Sequence, residues 1–269
     1  MIIDMHVHLS KRLPVKEWAW RQWPGTAPFL HTAEQFLEKM DGCRPRIDKA
    51  LVFGSRSLCS ETPQVMVDDN DYILKVVEEY PDRYIGAGVI DPSWGDRAIE
   101  ELNRTVKLGL RIAKVHFTSV HFPANCPGAK KLFREICDLG VLAVVHSDWT
   151  HWSNPSILGD LMRNFPDLKM VMQHFGITQS LEAIGVAKNN ENIYVDTSAV
   201  IHPGNILKFI EEVSADRIMY ASDTIRAYEK TMPQEEMDRV LHTRLSEQYL
   251  EKILGGNAER VLKLVGVEL

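Results

Sequence analysis

The chain is poor in cysteine, with four in 269 residues and none in a C-x-x-C pair. In a chain long enough for a sizeable core this argues against a disulfide framework and for reduced thiols in the cytoplasm. No apolar run approaches the roughly 18 residues of a membrane helix, so no membrane partner is expected. The motif at His6 and His8 stands too close to Met1 to leave room for a cleavable leader. No block dense in Lys and Arg occurs and the net charge is -6, which argues against a nucleic-acid surface and suits an enzyme acting on a small molecule. No Gly/Ser linker, low-complexity block or composition shift divides the chain, so residues 1–269 are read as one domain. No glycine-rich phosphate turn follows the first apolar run, which argues against an open doubly wound nucleotide-binding sheet.

What is present is a beat. Short apolar runs at 49–54, 84–90, 110–117, 141–146, 168–174, 192–198 and 217–223, after a first at 1–8, alternate with helical patterns. These helices are expected at 71–80, 98–108, 129–139, after Ser153-Asn154-Pro155, at 181–188 and at 206–213, with two more at 234–243 and 247–254 before a tail at 257–264. Thr32-Ala33-Glu34-Gln35 reads as a capping box opening a helix to Met40. Eight buried strands alternating with helices are what a closed (β/α)8 TIM-like barrel requires, here with extra C-terminal helices. The stretch from Lys11 to Leu30 breaks the pattern. Its Trp18, Trp20 and Trp23 read as an amphipathic cover packed on the domain, with a pocket lid as the alternative.

In a barrel the chemistry lies at the C-terminal strand ends, and these ends carry histidines. The first run places His6 and His8 on one face by strand alternation, with Asp4 deeper on the same side and Ile3, Met5 and Val7 opposite. Later runs end at Lys114 and His116, at His146, at His174, at Asp196, and at Ser222-Asp223. One such histidine is usually a core residue; several converging on the catalytic face indicate a metal site. His6, His8, His146 and Asp223 are expected to hold a divalent cation, with His174 as catalytic base or second ligand and His116 as a donor near the substrate. Lys114 faces into the barrel, where it is expected to pair with Asp4 or Asp196; a carbamate bridging two metals is the alternative. Asp196 is expected to orient a ligand histidine. Arg56 and Arg226 are candidate anchors for a substrate carboxylate. His31, His121, His151, His202 and His242 are expected to be solvated, with reach into the pocket as the alternative for His151, which stands beside Trp149 and Trp152 after the fifth run.

The chain resembles the amidohydrolase superfamily, in its amidohydrolase-related branch of metal-dependent hydrolases and decarboxylases similar to aminocarboxymuconate semialdehyde decarboxylase. The resemblance rests on Asp4-Met5-His6-Val7-His8, Gly109 with Lys114 and His116, His146, His174 with Gly176, Ser222-Asp223, and the closing Ile253-Leu254-Gly255-Gly256-Asn257-Ala258-Glu259-Arg260. It implies that His6, His8, His146 and Asp223 hold one metal and that His174 acts on substrate. Phe175 and Thr224-Ile225 depart from residues frequent in the family and bear on the pocket's shape. The expected activity is hydrolysis of a small ester, lactone or amide by water activated on zinc, with manganese as the alternative ion and Asp223 or His174 moving protons. Non-oxidative decarboxylation is the rival reaction, and a non-catalytic metal-binding barrel the rival from another class. A homo-oligomer is compatible with this reading.

Overall fold

A computed structural model describes residues 1–11, 31–55, 58, 62–225 and 232–269. The tryptophan-rich stretch, Arg56 and Arg226 lie outside the described residues. Among the described residues, nine parallel strands form two sheets: β1 (Ile3–Leu9), β2 (Lys49–Gly54) and β3 (Tyr84–Gly86) in one, and β4 (Gly88–Val89), β5 (Ile112–Val115), β6 (Leu142–His146), β7 (Met170–Gln173), β8 (Ile193–Asp196) and β9 (Ile218–Met219) in the other. The strands β3 and β4 are one apolar run interrupted at Ala87, whose N–H donates to Val52 O at 2.9 Å. At the other seam Met5 N donates to Tyr220 O and His8 N to Thr224 O, each at 3.1 Å. Eight strand runs therefore follow one another in the order of a TIM-like barrel.

Two apolar layers result from the alternation of side chains along each strand. Ile112, Leu142, Val144, Val171, Tyr194, Met219 and Ala221 pack inside the barrel, whereas Ala113, Val115, Ala143, Val145, Met170, Met172, Ile193 and Val195 pack outward under the helices. Lys114, His146, Gln173, Asp196 and Asp223 continue the inward series at two-residue spacing. The catalytic end is thus wired to the same periodicity that builds the core.

The first strand departs from the expected alternation. Asp4 pairs with Ala50 but Val7 with Val52, a bulge of one residue. An inserted residue reverses which side chains face which side. Ile3 and Met5 accordingly belong to the inner cluster with Leu51 and Phe53, while Val7 and Leu9 belong to the outer one with Ala50 and Val52. Asp4, in register with outward Ala50, does not lie below the histidines; its charge is felt by Cys43, Tyr220 and Glu236. His6 and His8 still share a face because both follow the point where the bulge begins.

The helices form largely where the sequence places them. Thr32 and Gln35 make a capping box that opens Ala33–Gly42, and Asn154 accepts from Ile157 N with Pro155 in the first turn of Pro155–Met162. The expected tail is instead a helix, Asn257–Leu264. Its Ala258, Val261 and Leu262 pack against the inner strand residues, and Asn257 Nδ2 donates to Ala215 O and Ile218 O at 2.7 and 2.8 Å. Apolar residues three and four apart are what closes that end of the barrel. Gly255 permits the fit, because a Cβ there would overlap the Met1 carbonyl oxygen. Cys43, Cys126 and Cys137 form no disulfide. Among the described residues, no helix is long and apolar enough to cross a membrane.

Candidate metal and proton-transfer site

Three side chains from the two ends of the barrel sequence meet. His6 Nε2 lies 3.1 Å from His8 Nε2, and Asp223 Oδ1 lies 3.1 Å from the first and 3.2 Å from the second. Among the described residues these are the group whose ligating atoms all fall within 4.8 Å of one another. The bulge in β1 delivers the histidines. Asp223, at φ 52°, is delivered by a left-handed residue just beyond β9, a conformation Asp tolerates better than most side chains.

The chemistry of these donors suits a divalent cation. His6 Nδ1 is 3.3 Å from Asp196 Oδ2, and an Nδ1–H donated there leaves Nε2 as a lone pair. That lone pair converges with a second imidazole nitrogen and a carboxylate oxygen, a donor set of the kind a divalent cation takes. Tetrahedral ligands at zinc distances of about 2.0–2.1 Å stand about 3.3 Å apart, close to the spacing observed. Burial raises the carboxyl of Asp223, but the charges of His174, His8 and Lys114 outweigh it and hold the group down at about 2. Burial also keeps His6 neutral well below its ordinary range, reinforced by Lys114 and neighbouring histidines.

Behind this trio the imidazoles continue as a row. Ring centroids separate His8 from His6 by 5.1 Å, His6 from His174 by 4.8 Å, His174 from His146 by 4.7 Å, and His146 from His116 by 3.7 Å in a stacked pair. His146 is outside the close trio, and its Nε2 is 3.0 Å from Asp148 Oδ2. Asp148 is itself pinned, since its Oδ1 accepts from Thr150 N at 2.7 Å and Thr150 Oγ1 at 2.6 Å. Burial raises the Asp148 carboxyl, but hydrogen bonds from His146 and Thr150 bring it below its usual range. His116 accepts from Ser119 N through Nδ1 at 3.2 Å.

His174 reaches the site by a route that strand alternation does not supply. Gln173 occupies the inward position of β7, so the next residue on a continuing strand would face outward. The backbone turns left-handed instead, with φ of 62°, 49°, 73° and 55° at His174, Phe175, Gly176 and Ile177. Such geometry costs of order 1 kcal/mol or more for each non-glycine residue. It is braced by Ser147, whose hydroxyl accepts from Gly176 N at 2.9 Å and donates to Gln173 O. Gly176 is required there, because a Cβ would stand 2.9 Å from Pro155 Cγ. His174 then lies with Nδ1 3.0 Å from Ser198 Oγ and 4.0 Å from Asp223 Oδ2. Burial lowers its basicity to about 3, against the attraction of Asp223.

Lys114 points inward as expected but does not form the expected ion pair. Its Nζ donates to Gln173 Oε1 and lies 4.7 Å from the centroid of the Phe53 ring. No carboxylate among the described residues comes within 4.0 Å. A neutral amide from β7, two strands away across β6, and an aromatic face receive the ammonium, while Asp4 lies outside the barrel and Asp196 is committed to His6 and Ser198. Burial lowers the amine to about 7, with Asp223 and Asp196 pulling the other way. Asp196 Oδ2 lies beside Nδ1 of His6, and burial raises its carboxyl to about 7 against the hydrogen bonds it accepts. His31 is buried and not solvated: Lys39 Nζ is 3.1 Å from its Nε2, and burial with that cation lowers it to about 3. His121, His151, His202 and His242 are exposed. The residues that sequence reasoning did not single out are Asp148 and Ser198; the Asp-x-Thr turn after His146 was the one readable sign of the former.

Known proteins resemble this chain over most of its length. It is 23% identical over 235 residues to 2-amino-3-carboxymuconate-6-semialdehyde decarboxylase of Dictyostelium discoideum, covering 72% of this chain and 65% of the relative. The chain thus spans somewhat less than two thirds of that relative. An uncharacterized TIM-barrel protein from Bordetella bronchiseptica superposes with a TM-score of 0.80 at 19% identity, covering 99% of each chain. A 5-carboxyvanillate decarboxylase from Novosphingobium aromaticivorans, solved with manganese and 4-hydroxy-3-methoxy-5-nitrobenzoic acid, has a TM-score of 0.73 at 17% identity, covering 98% of this chain and 96% of that one. These likenesses agree with the barrel read from the strand order. The family model described as amidohydrolase matches residues 3–264, and this chain is therefore an enzyme of the amidohydrolase family.

Proposed function

We propose that this protein is a metal-dependent, non-oxidative decarboxylase of a small carboxylic acid. The observation that carries the reading is the convergence of His6 Nε2, His8 Nε2 and Asp223 Oδ1 beside the ring of His174. Hydrolysis, the reaction expected first from the sequence, uses the same constellation. The choice is supported by the decarboxylases among the chain's relatives, one of them holding manganese and a benzoic acid analogue.

In this reading His6, His8 and Asp223 would hold a divalent ion, zinc or manganese, and His146, whose Nε2 is engaged by Asp148, would be a further ligand. Bound there, the ion supplies Lewis acidity toward an oxygen of the substrate. The remaining work falls to the chain. Arg56 and Arg226, outside the described residues, are the candidates to anchor the carboxylate, His116, stacked on His146, is the candidate to contact the substrate, and Lys114 contributes a buried positive field. When the carbon–carbon bond breaks, carbon dioxide leaves and the electron pair stays on the substrate carbon. His174 delivers a proton to that carbon, having taken it from a substrate hydroxyl or water. Asp196 holds His6 in the tautomer that keeps Nε2 available.

The experiment is an assay of metal-loaded protein on a mixed panel of aromatic carboxylic acids, lactones and amides, with carbon dioxide and acid release recorded separately. Carbon dioxide without hydrolysis is the expected result. Acid release without carbon dioxide overturns the proposal in favour of the hydrolase.

A further inference from the structure

A short hydrogen-bonded chain begins at Nδ1 of His174. Ser198, fully buried, places its Oγ 3.0 Å from His174 Nδ1 and 2.7 Å from Asp196 Oδ1. Asp196 Oδ1 also accepts the backbone N–H of His174 at 2.8 Å and of Ser198 at 3.1 Å. These two amide protons cannot turn elsewhere, so Oδ1 is an acceptor in every protonation state of Asp196; a proton on that carboxyl would reside on Oδ2, which faces His6.

We infer that Ser198 is a positioning residue that fixes His174 as the Nδ1–H tautomer, so that Nε2 carries the lone pair used in proton exchange with substrate. A hydroxyl has one proton. If Ser198 aimed it at His174, two lone pairs would face each other across the 2.7 Å between Ser198 Oγ and Asp196 Oδ1, buried and without compensation. The proton therefore points at Asp196, the lone pairs of Oγ point at His174, and His174 Nδ1 is the donor. No hydrogen bond to Nε2 occurs among the described residues. The same carboxylate that holds the tautomer of His6 through Oδ2 thus holds that of His174 through Oδ1 and Ser198, which sets His6 and the proton carrier from one point at the end of β8.

The role of Nε2 as the exchanging nitrogen rests on the decarboxylase reading, but the tautomer does not, and the two are tested apart. Zinc-loaded protein carrying 15N-histidine is examined by NMR at neutral pH, with His174→Gln used to identify the His174 signals. A proton-bearing Nδ1 and a bare Nε2 are expected in the wild type and in Ser198→Thr, which keeps the hydroxyl. Ser198→Ala is expected to shift His174 toward the opposite tautomer. A proton on Nε2 in the wild type overturns the inference by itself, whether or not the alanine variant folds, and so does an unchanged His174 pattern in Ser198→Ala. On any substrate of the panel that turns over, Ser198→Ala is expected to lower kcat roughly tenfold or more with KM within about twofold, and Ser198→Thr to restore it. An alanine variant that raises KM alone overturns the positioning role.

Discussion

Asp148 Oδ2 stands 3.0 Å from His146 Nε2, two residues further along the chain, which leaves Nδ1 as the ring nitrogen that this carboxylate does not engage. A carboxylate in that position fixes the tautomer of the imidazole and raises its basicity toward a metal at the other nitrogen. Thr150 in turn fixes the carboxylate, so the orientation of His146 is set before any ion arrives.

Asp148→Asn keeps the shape and removes the charge. Metal affinity is expected to fall by about 10- to 100-fold, read by competition with a chromophoric chelator, while circular dichroism stays unchanged. Unaltered affinity would remove Asp148 from the site.

His6→Ala deletes one of three donors spaced 3.1 to 3.2 Å apart. After dialysis the variant is expected to retain well under one equivalent of zinc or manganese where the wild type retains about one by elemental analysis. Prolonged chelation of the wild type is expected to abolish turnover, and restoring either ion to recover it. A variant that keeps a full equivalent would place the ion elsewhere.

Glu236 links stability to pH. It is buried, its Oε2 has no hydrogen-bond partner, and burial raises its carboxyl to about 7 despite Arg239 at 3.3 Å. A carboxyl raised in the folded state contributes full stability below its unfolded value near 4.5, and that contribution is lost as pH rises through about 7. Glu236→Gln is therefore expected to unfold at a higher temperature than the wild type at pH 8, by an amount on the order of 2 kcal/mol, and to match it near pH 5. Thermal melts at the two pH values check the sign; an equal shift at both would refute the assignment.

Gly255→Ala tests how the two chain ends meet. The added methyl collides with the Met1 carbonyl oxygen, which is backbone and has little room to move. A loss of about 1–3 kcal/mol is expected, seen as a melting temperature lower by several degrees. An unchanged melting temperature would mean that the N-terminal strand yields freely.

Much of this architecture is written in the sequence because strand alternation is local. A side chain two residues from an inward one is inward again, so Lys114, His146, Asp196 and Asp223 could be placed on the catalytic face from the apolar residues preceding them. The eight alternations of strand and helix, the capping box at Thr32 and the helix start at Asn154 follow from the same short-range rules. Tertiary structure decided what those rules do not reach. The bulge between Asp4 and Val7 appears only when β1 is laid against β2, and it sends Asp4 outward and Ile3 and Met5 inward. The left-handed turn after Gln173 brings His174 inward where continued alternation would have turned it away. Lys114 finds Gln173 instead of a carboxylate because the order of strands places β7 two strands away, and the inward side chains of β5 and β7 meet although 59 residues separate them in the chain. Ser198 and Asp196 become partners of His174 because β8 is laid directly against β7. Periodicity specifies the face of a side chain; which groups meet on that face depends on where the backbone breaks period and which strands become neighbours.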